Sequence, residues 1–398
     1  MNSSLKVTML ASWTCLVALF VLALIGGRAM AVQPLAQTER DGTPFTVEDA
    51  GVFFDDRLMH MFDVWCVDAP MPVMRLGEND AWLYLSHPSH PHIETPDEPF
   101  AWITRVRCAL TELGPVLDVY SSERTLHRGI PDAGPGRKGW KGWMAHHYEI
   151  DPKEWLAVFH YEDEHEDMRL ARFRLGVAYS GDGGKSYDHL GFAISTWAPD
   201  PTEGSVKRPG GGHVNISSAG IRADDDYIYY YFLDSIRQSA LQDSRPEMAH
   251  LAVARAPKNL LIQNARNGKN TEWHKYYKGE WKEPGMGGRS SCLGKMTEYH
   301  TSVMYNTYIR KWVTFDVDWE TRQLCMRRSS DPLDFDVPNE PVFQFGKQNT
   351  VAYTSFLSLE DDMATCGKEL YIYFRNHGTD DASGKAFYHI KRLKIAFD

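Results

Sequence analysis

Five positions in this chain carry ionisable or hydrogen-bonding groups at the same point of a recurring sequence theme. They are Asp68, the pair His146 and His147, His213, the pair Glu298 and His300, and Tyr353. Each stands at the head of a strand-like run, which a short acidic or glycine turn joins to an aromatic run. Carboxylates, imidazoles and a phenol gathered at one point can take a proton from one reacting atom and give one to another. Any one of these histidines alone would be an ordinary structural residue. The convergence is the informative part, because a packed channel would use small or apolar side chains there.

The elements that must position these groups are strands. In the first copy Asp68 leads through Pro70 and Pro72 to a turn at 77–80 and the aromatic run 82–85. The second runs from Trp143 through a turn at 151–153 to 155–159, and the third from 210–213 through Asp224, Asp225 and Asp226 to 227–232. The fourth begins at 298–305 and continues at 312–315; the fifth is 353–359, a turn at 366–368, and 370–374. Further strands follow most copies. Five copies spaced by roughly 55–90 residues predict an all-β chain, a five-bladed β-propeller of four-stranded antiparallel blades, in one domain over 51–398. A β-sandwich is the competing all-β architecture, but it does not require the copies to share internal order. The fifth copy is one strand short, and 51–54 is available to complete it.

Between the outer strands of the second copy the sequence reads Ser180-Gly181-Asp182-Gly183-Gly184-Lys185-Ser186-Tyr187. This resembles the Asp-box of β-propeller glycosidases, a tight turn in which the aspartate accepts backbone N–H bonds and the aromatic packs on the blade. The wider pattern resembles the five-bladed propeller glycosidases, which include glycoside hydrolase families 43, 32, 68 and 117. The stretch 68–85 is similar to the opening of family 43, whose aspartate is the general base; the resemblance implies that role for Asp68. The head of the fourth inner strand carries the family's general-acid glutamate, which matches Glu298. The family's proline after it is absent, and His300 stands there, similar to the histidine acid of family 117. The acid assignment is therefore split between Glu298 and His300. Where family 43 has an aspartate in its third blade, this chain has Gly212-His213.

What the resemblance implies is a glycoside hydrolase acting on a poly- or oligosaccharide, with inversion of configuration. Such cleavage needs an acid that protonates the leaving oxygen and a carboxylate opposite it. The acid must hold its proton near neutral pH through burial or a neighbouring negative charge, which Glu162 or Asp234 are placed to supply. His146, His147, His213 and Tyr353, with Trp273 and Arg289 from the long insertion before the fourth copy, are the expected substrate contacts. The chemistry requires no cofactor. Several propeller glycosidases hold an ion in the central tunnel, so a structural calcium is conceivable, but no ligand set is legible. Two other functions fit the same pattern: a glycan-binding propeller without catalysis, and a polysaccharide lyase using His and Tyr.

Residues 1–31 have a charged start, an apolar run over 7–25 and an A-x-A-like ending at Ala31, which predicts a signal peptide or N-terminal anchor and an exported protein. A polar lead-in follows over 32–50. Loss of the first segment removes Lys6 and Arg28 and no acids, so the formal charge moves from −10 to −12. That balance argues against nucleic acid or an anionic membrane surface as partner. Five cysteines remain at wide spacing, which suits neither a zinc site nor a disulfide scaffold; they are expected to be buried structural residues.

Overall fold

The structure, a computed structural model, describes residues 43–398 other than 56–57, 59–66, 78–79, 88–101, 112–113, 133–138, 164–169, 199, 201–213, 237–247, 298–299, 358–364 and 381–382. It contains five antiparallel sheets in chain order, a five-bladed β-propeller. The first blade is Val73–Gly77, Asp80–His87, Trp102–Thr111 and Gly114–Arg124. The second is Trp140–Glu149, Trp155–Asp163, Arg172–Ser180 and Ser186–Ile194, with Leu126–Arg128 added in parallel at its outer edge. The third has Val214–Ala223, Tyr227–Ile236 and Met248–Pro257, extended by the hairpin His274–Tyr277 and Glu280–Pro284. The fourth is Val303–Asn306, Lys311–Asp318, Gln323–Ser329 and Glu340–Gln344.

The fifth blade has Thr350–Leu357, Glu369–Thr379 and Ala386–Phe397 from the C-terminal end of the chain. Its outer strand is Phe45–Phe54, paired antiparallel with Phe45 opposite Phe397. The ring is thus closed by joining the two ends of the chain, as the missing strand of the fifth copy required. The closing strand is longer than the 51–54 segment expected to supply it.

Strand alternation explains why the second strand of each copy reads as an almost unbroken apolar run. Successive side chains point to opposite faces, and a propeller blade has a neighbour on both. In the third blade Ile228, Tyr230 and Phe232 pack toward the second blade, while Tyr231 and Leu233 pack toward the fourth. In the fifth, Leu370, Ile372 and Phe374 face the fourth blade, and Tyr371 and Tyr373 face the first. Among the described residues a large apolar cluster fills each of the five blade interfaces, and Ala69 and Trp143 form a separate small pair. The one helix among the described residues, Lys258–Arg266, adds Leu261 and Ala265 to the cluster between the second and third blades.

The turn at 181–185 joins the outer strands of the second blade. The Asp182 carboxylate accepts bonds from the Lys185 and Ser186 N–H groups (3.1 and 3.0 Å) and from the hydroxyls of Ser180 and Ser186 (2.9 and 2.7 Å). Burial raises its pKa, but these donors outweigh that and hold it below the usual carboxylate value. Gly184 has φ +73°, and a Cβ there would overlap the Tyr84 hydroxyl of the first blade. The turn also docks on that neighbour, for Arg105 donates to the Gly183 carbonyl at 2.8 Å.

Of the five cysteines, Cys108, Cys325 and Cys366 are buried as expected, whereas Cys292 is exposed. Cys66 lies outside the described residues.

Candidate active site

The innermost strands of the second, third and fifth blades each carry a bulge where they approach the axis, at Met144/His146, Ser218/Gly220 and Ala352/Ser355. A bulge re-aims a side chain out of the plain alternation. Beside these irregularities a polar cluster gathers, to which all five blades contribute.

Asp68 is its centre. Its backbone N–H is fixed on the Ser86 carbonyl at 2.9 Å, and its carboxylate is 34% exposed. Oδ1 accepts the Tyr353 hydroxyl at 2.9 Å and the Arg375 Nη1 at 3.1 Å. Arg375 lies over the Tyr353 ring, 4.3 Å from its centroid. The His300 ring is 5.7 Å from Tyr353, and His160 meets His300 edge-on at 4.5 Å. From His160 the chain of contacts ends at Glu162, with Nε2 and Oε1 2.9 Å apart. The third blade supplies the Ser218 N–H, which donates to His300 Nδ1 at 3.3 Å.

His300 and Tyr353 both have left-handed backbone, φ +57° and +61°. Non-glycine residues pay for that conformation and cluster at functional sites when the surroundings enforce it. Arg310 and Arg322, which share it, lie in surface turns between strands.

Electrostatics follow from burial. His300 is driven well below the usual imidazole pKa, first by burial and then by His160, His146 and Arg375. It is neutral, and because Nδ1 accepts from Ser218 its proton is on Nε2. Tyr353 is pushed well above its ordinary value by burial first, then by Asp68, with Glu162 adding to the effect. Both carboxylates therefore act on one phenol. Arg375 stays charged: burial pulls its pKa down, but Tyr353, Tyr388 and Asp68 more than offset it.

Of the positions singled out by sequence, the structure brings Asp68, His300, Tyr353 and Glu162 into this cluster. Glu162 is the penultimate residue of the strand Trp155–Asp163. His146 lines the channel with its Nε2 buried and unbonded among the described residues, and burial takes its pKa down to about 3. Its neighbour His147 also lines the channel, while its ring stacks on Tyr187 and meets Tyr84 and Trp155 at the interface of the first and second blades. Trp273 is a correction: it is 1% exposed and packs on Tyr230 in the blade core, out of reach of any sugar. Asp234 is buried in a separate network, accepting the Ser290 hydroxyl at 2.8 Å, with His250 on the other side of that hydroxyl at 3.1 Å. Arg289, next to Ser290, is exposed and lies 6.0 Å over Trp197. Glu298 and His213 lie outside the described residues. Sequence reasoning missed Arg375 and His160; the signal for the first was an arginine directly following the apolar run 370–374.

Two residues along the chain from Asp68, His300 and Tyr353, the residues Pro70, Ser302 and Ser355 line a channel of about 40 Å³ together with His146, His147 and Arg222. A calcium ion needs six to eight oxygen ligands, several of them carboxylate. The lining has none and includes a guanidinium, so these residues do not fit calcium. Nor do the described residues contain any cluster of acids, histidines and cysteines able to hold a metal.

No family model matches the chain, and no curated protein matches it in sequence. Solved structures do. A GH43_1 enzyme from Xanthomonas citri is 15% identical with a TM-score of 0.43, over 84% of this chain and 88% of that one. A family 117 glycoside hydrolase from Zobellia galactanivorans is 11% identical with a TM-score of 0.46, over 89% and 90%. A GH32 β-fructofuranosidase from Bombyx mori is 10% identical with a TM-score of 0.42, over 81% and 58%. The likeness is one of fold. The chemistry of this chain has to come from its own side chains.

Proposed function

We propose that the chain is an exported, inverting glycoside hydrolase acting on a poly- or oligosaccharide, with Asp68 as general base and Glu162 as general acid. The observation that carries this is Asp68 itself: an accessible carboxylate with one oxygen fixed by Tyr353 and Arg375, joined through Tyr353, His300 and His160 to a second carboxylate. Oδ2 is left for a water molecule. In the reaction that water gives a proton to Asp68 as its oxygen attacks the anomeric carbon. The glycosidic C–O bond breaks, and the leaving oxygen takes the proton of Glu162. Solvent then restores both groups.

His300 was an alternative acid. Its neutral state argues against an imidazolium donor and favours a hydrogen-bonding role through Nε2–H. Glu298 is the other alternative, and substitution separates the two glutamates. Glu162→Gln is expected to cripple substrates with poor leaving groups while sparing aryl glycosides, which need little protonation. If Glu298→Gln shows that dependence instead, the acid is Glu298. Inversion is read from the anomer first formed in the NMR spectrum, and export from the N-terminal sequence of the mature protein, expected to begin after Ala31.

A lyase is the second reading, favoured by a neutral histidine beside a tyrosine. It needs a cation to neutralise a uronate, and Arg375 is already paired with Asp68. Assay of the purified protein on a broad polysaccharide panel decides. New reducing ends without ultraviolet absorbance support hydrolysis, absorbing products support a lyase, and binding without either supports a lectin.

A further inference from the structure

We infer that His160 is the positioning residue of the acid: its Nε2–H holds Oε1 of Glu162 and leaves Oε2 to carry the transferred proton. This rests on the assignment of Glu162 as acid. The imidazole is 2% exposed and held on three sides, edge-on to His300 at 4.5 Å, 6.1 Å from Trp143 and 5.7 Å from Phe173. It therefore presents Nε2 in one direction, toward Glu162 Oε1 at 2.9 Å. Glu162 is itself 25% exposed, so the pair joins a fixed buried donor to a carboxyl that meets solvent.

The inference requires one tautomer. With the acid's proton on Oε2, Oε1 only accepts in either state of Glu162. Nε2 must then carry the imidazole proton, and Nδ1 is a bare acceptor, consistent with its having no bond among the described residues. A buried acceptor left without a partner is tolerated more readily than a buried N–H. When Glu162 gives its proton away, the bond from His160 becomes charge-assisted and strengthens. It therefore favours the state that follows proton transfer. The other groups facing the pair are His300 of the fourth blade and Tyr353 of the fifth, with Arg375 behind Tyr353, and Lys141 in register opposite Glu162.

Two measurements test this. In the intact protein labelled with 15N-histidine and free of substrate, His160 is expected as the Nε2–H tautomer; an Nδ1–H tautomer overturns the inference. Kinetics on 4-nitrophenyl glycosides and an unactivated oligosaccharide of the same sugar then compare His160→Phe with His160→Gln, whose amide can still donate. His160→Phe is expected to lose about tenfold in kcat on the oligosaccharide but less than about threefold on the aryl glycoside, with KM unchanged. Its alkaline limb is expected about one pH unit higher, because the carboxylate has lost a donor. His160→Gln is expected to restore both. Unchanged kcat and pH profile in a folded His160→Phe overturns the inference. Should that variant fail to fold, the tautomer and the His160→Gln profile still decide. Glu162→Gln is the control: equal rates on both leaving groups mean that Glu162 is not the acid, whereas leaving-group dependence there with no effect at His160 means that only the inference about His160 is wrong.

Discussion

Tyr353 is held in left-handed backbone so that its hydroxyl reaches Asp68. Tyr353→Phe removes that donor and leaves Arg375 alone on Oδ1. Activity is expected to fall on the order of tenfold to a hundredfold in kcat, with the melting temperature nearly unchanged, since the ring and its contact with Arg375 remain. Wild-type kcat in a folded variant would show that the phenol does not position the base. At this scale the sequence was informative where a residue heads an inner strand, as Asp68, His300 and Tyr353 do. It could not show that His146 and His147 both line the channel, because plain strand alternation puts neighbours on opposite faces and the bulge between Met144 and His146 breaks that alternation. Trp273 was misjudged for a different reason. An aromatic in an insertion looks the same in sequence whether it lines a cleft or plugs a core, and here Tyr230 lies against it.

Among the elements, the Asp182 turn ties the second blade to the first but takes no part in the cluster around Asp68. Asp182→Ala is expected to cost about 1–3 kcal/mol in denaturant unfolding and to leave kcat unchanged. A variant as stable as wild type but inactive would contradict that placement. The helix is held to the same blade by another carboxylate. Glu154 accepts Arg266 and the Tyr179 hydroxyl, and the bond from Arg266, the larger cause, brings its pKa down to about 2. A carboxylate with a lowered folded pKa stabilises above its unfolded value and loses that contribution as pH falls toward 2. Glu154→Gln should accordingly melt below wild type at pH 7 and converge on it near pH 2, as thermal melts of both proteins would show; a pH-independent gap would mean that the pairing is not electrostatic. The hairpin bearing this turn was legible because Asp, Gly and an aromatic fall at fixed offsets. The parallel edge strand Leu126–Arg128 was not, since its pairing with Ser186–Asp188 is distant in sequence and three residues carry no periodicity.

At the scale of the molecule, the five blade interfaces and the strand Phe45–Phe54 close the ring among the described residues, and the sequence pointed to this through the repeated order of its copies and the fifth copy's missing strand. The interior also buries neutral histidines. His127, His146 and His147 are taken down to about 3 by burial, and His189 and His300 well below 6.5. Unfolding frees them to take up protons near their ordinary value, so stability is full above about 6.5 and falls as pH drops toward 3, by up to about 1.4 kcal/mol per unit for each histidine. Melting temperature should decline steeply below pH 6, and a flat profile from pH 7.5 to 4.5 would contradict the buried, neutral assignment. The ring sets Asp68, ahead of the first blade, against Tyr353 and Arg375 of the fifth, and that is the contact to test first. Asp68→Asn is nearly isosteric but cannot take a proton. On the polysaccharide that wild type cleaves, its reducing-end release, measured beside its melting temperature, should drop on the order of 10³-fold or more while the fold is kept; turnover near the wild-type rate at an unchanged melting temperature would contradict a general base at Asp68.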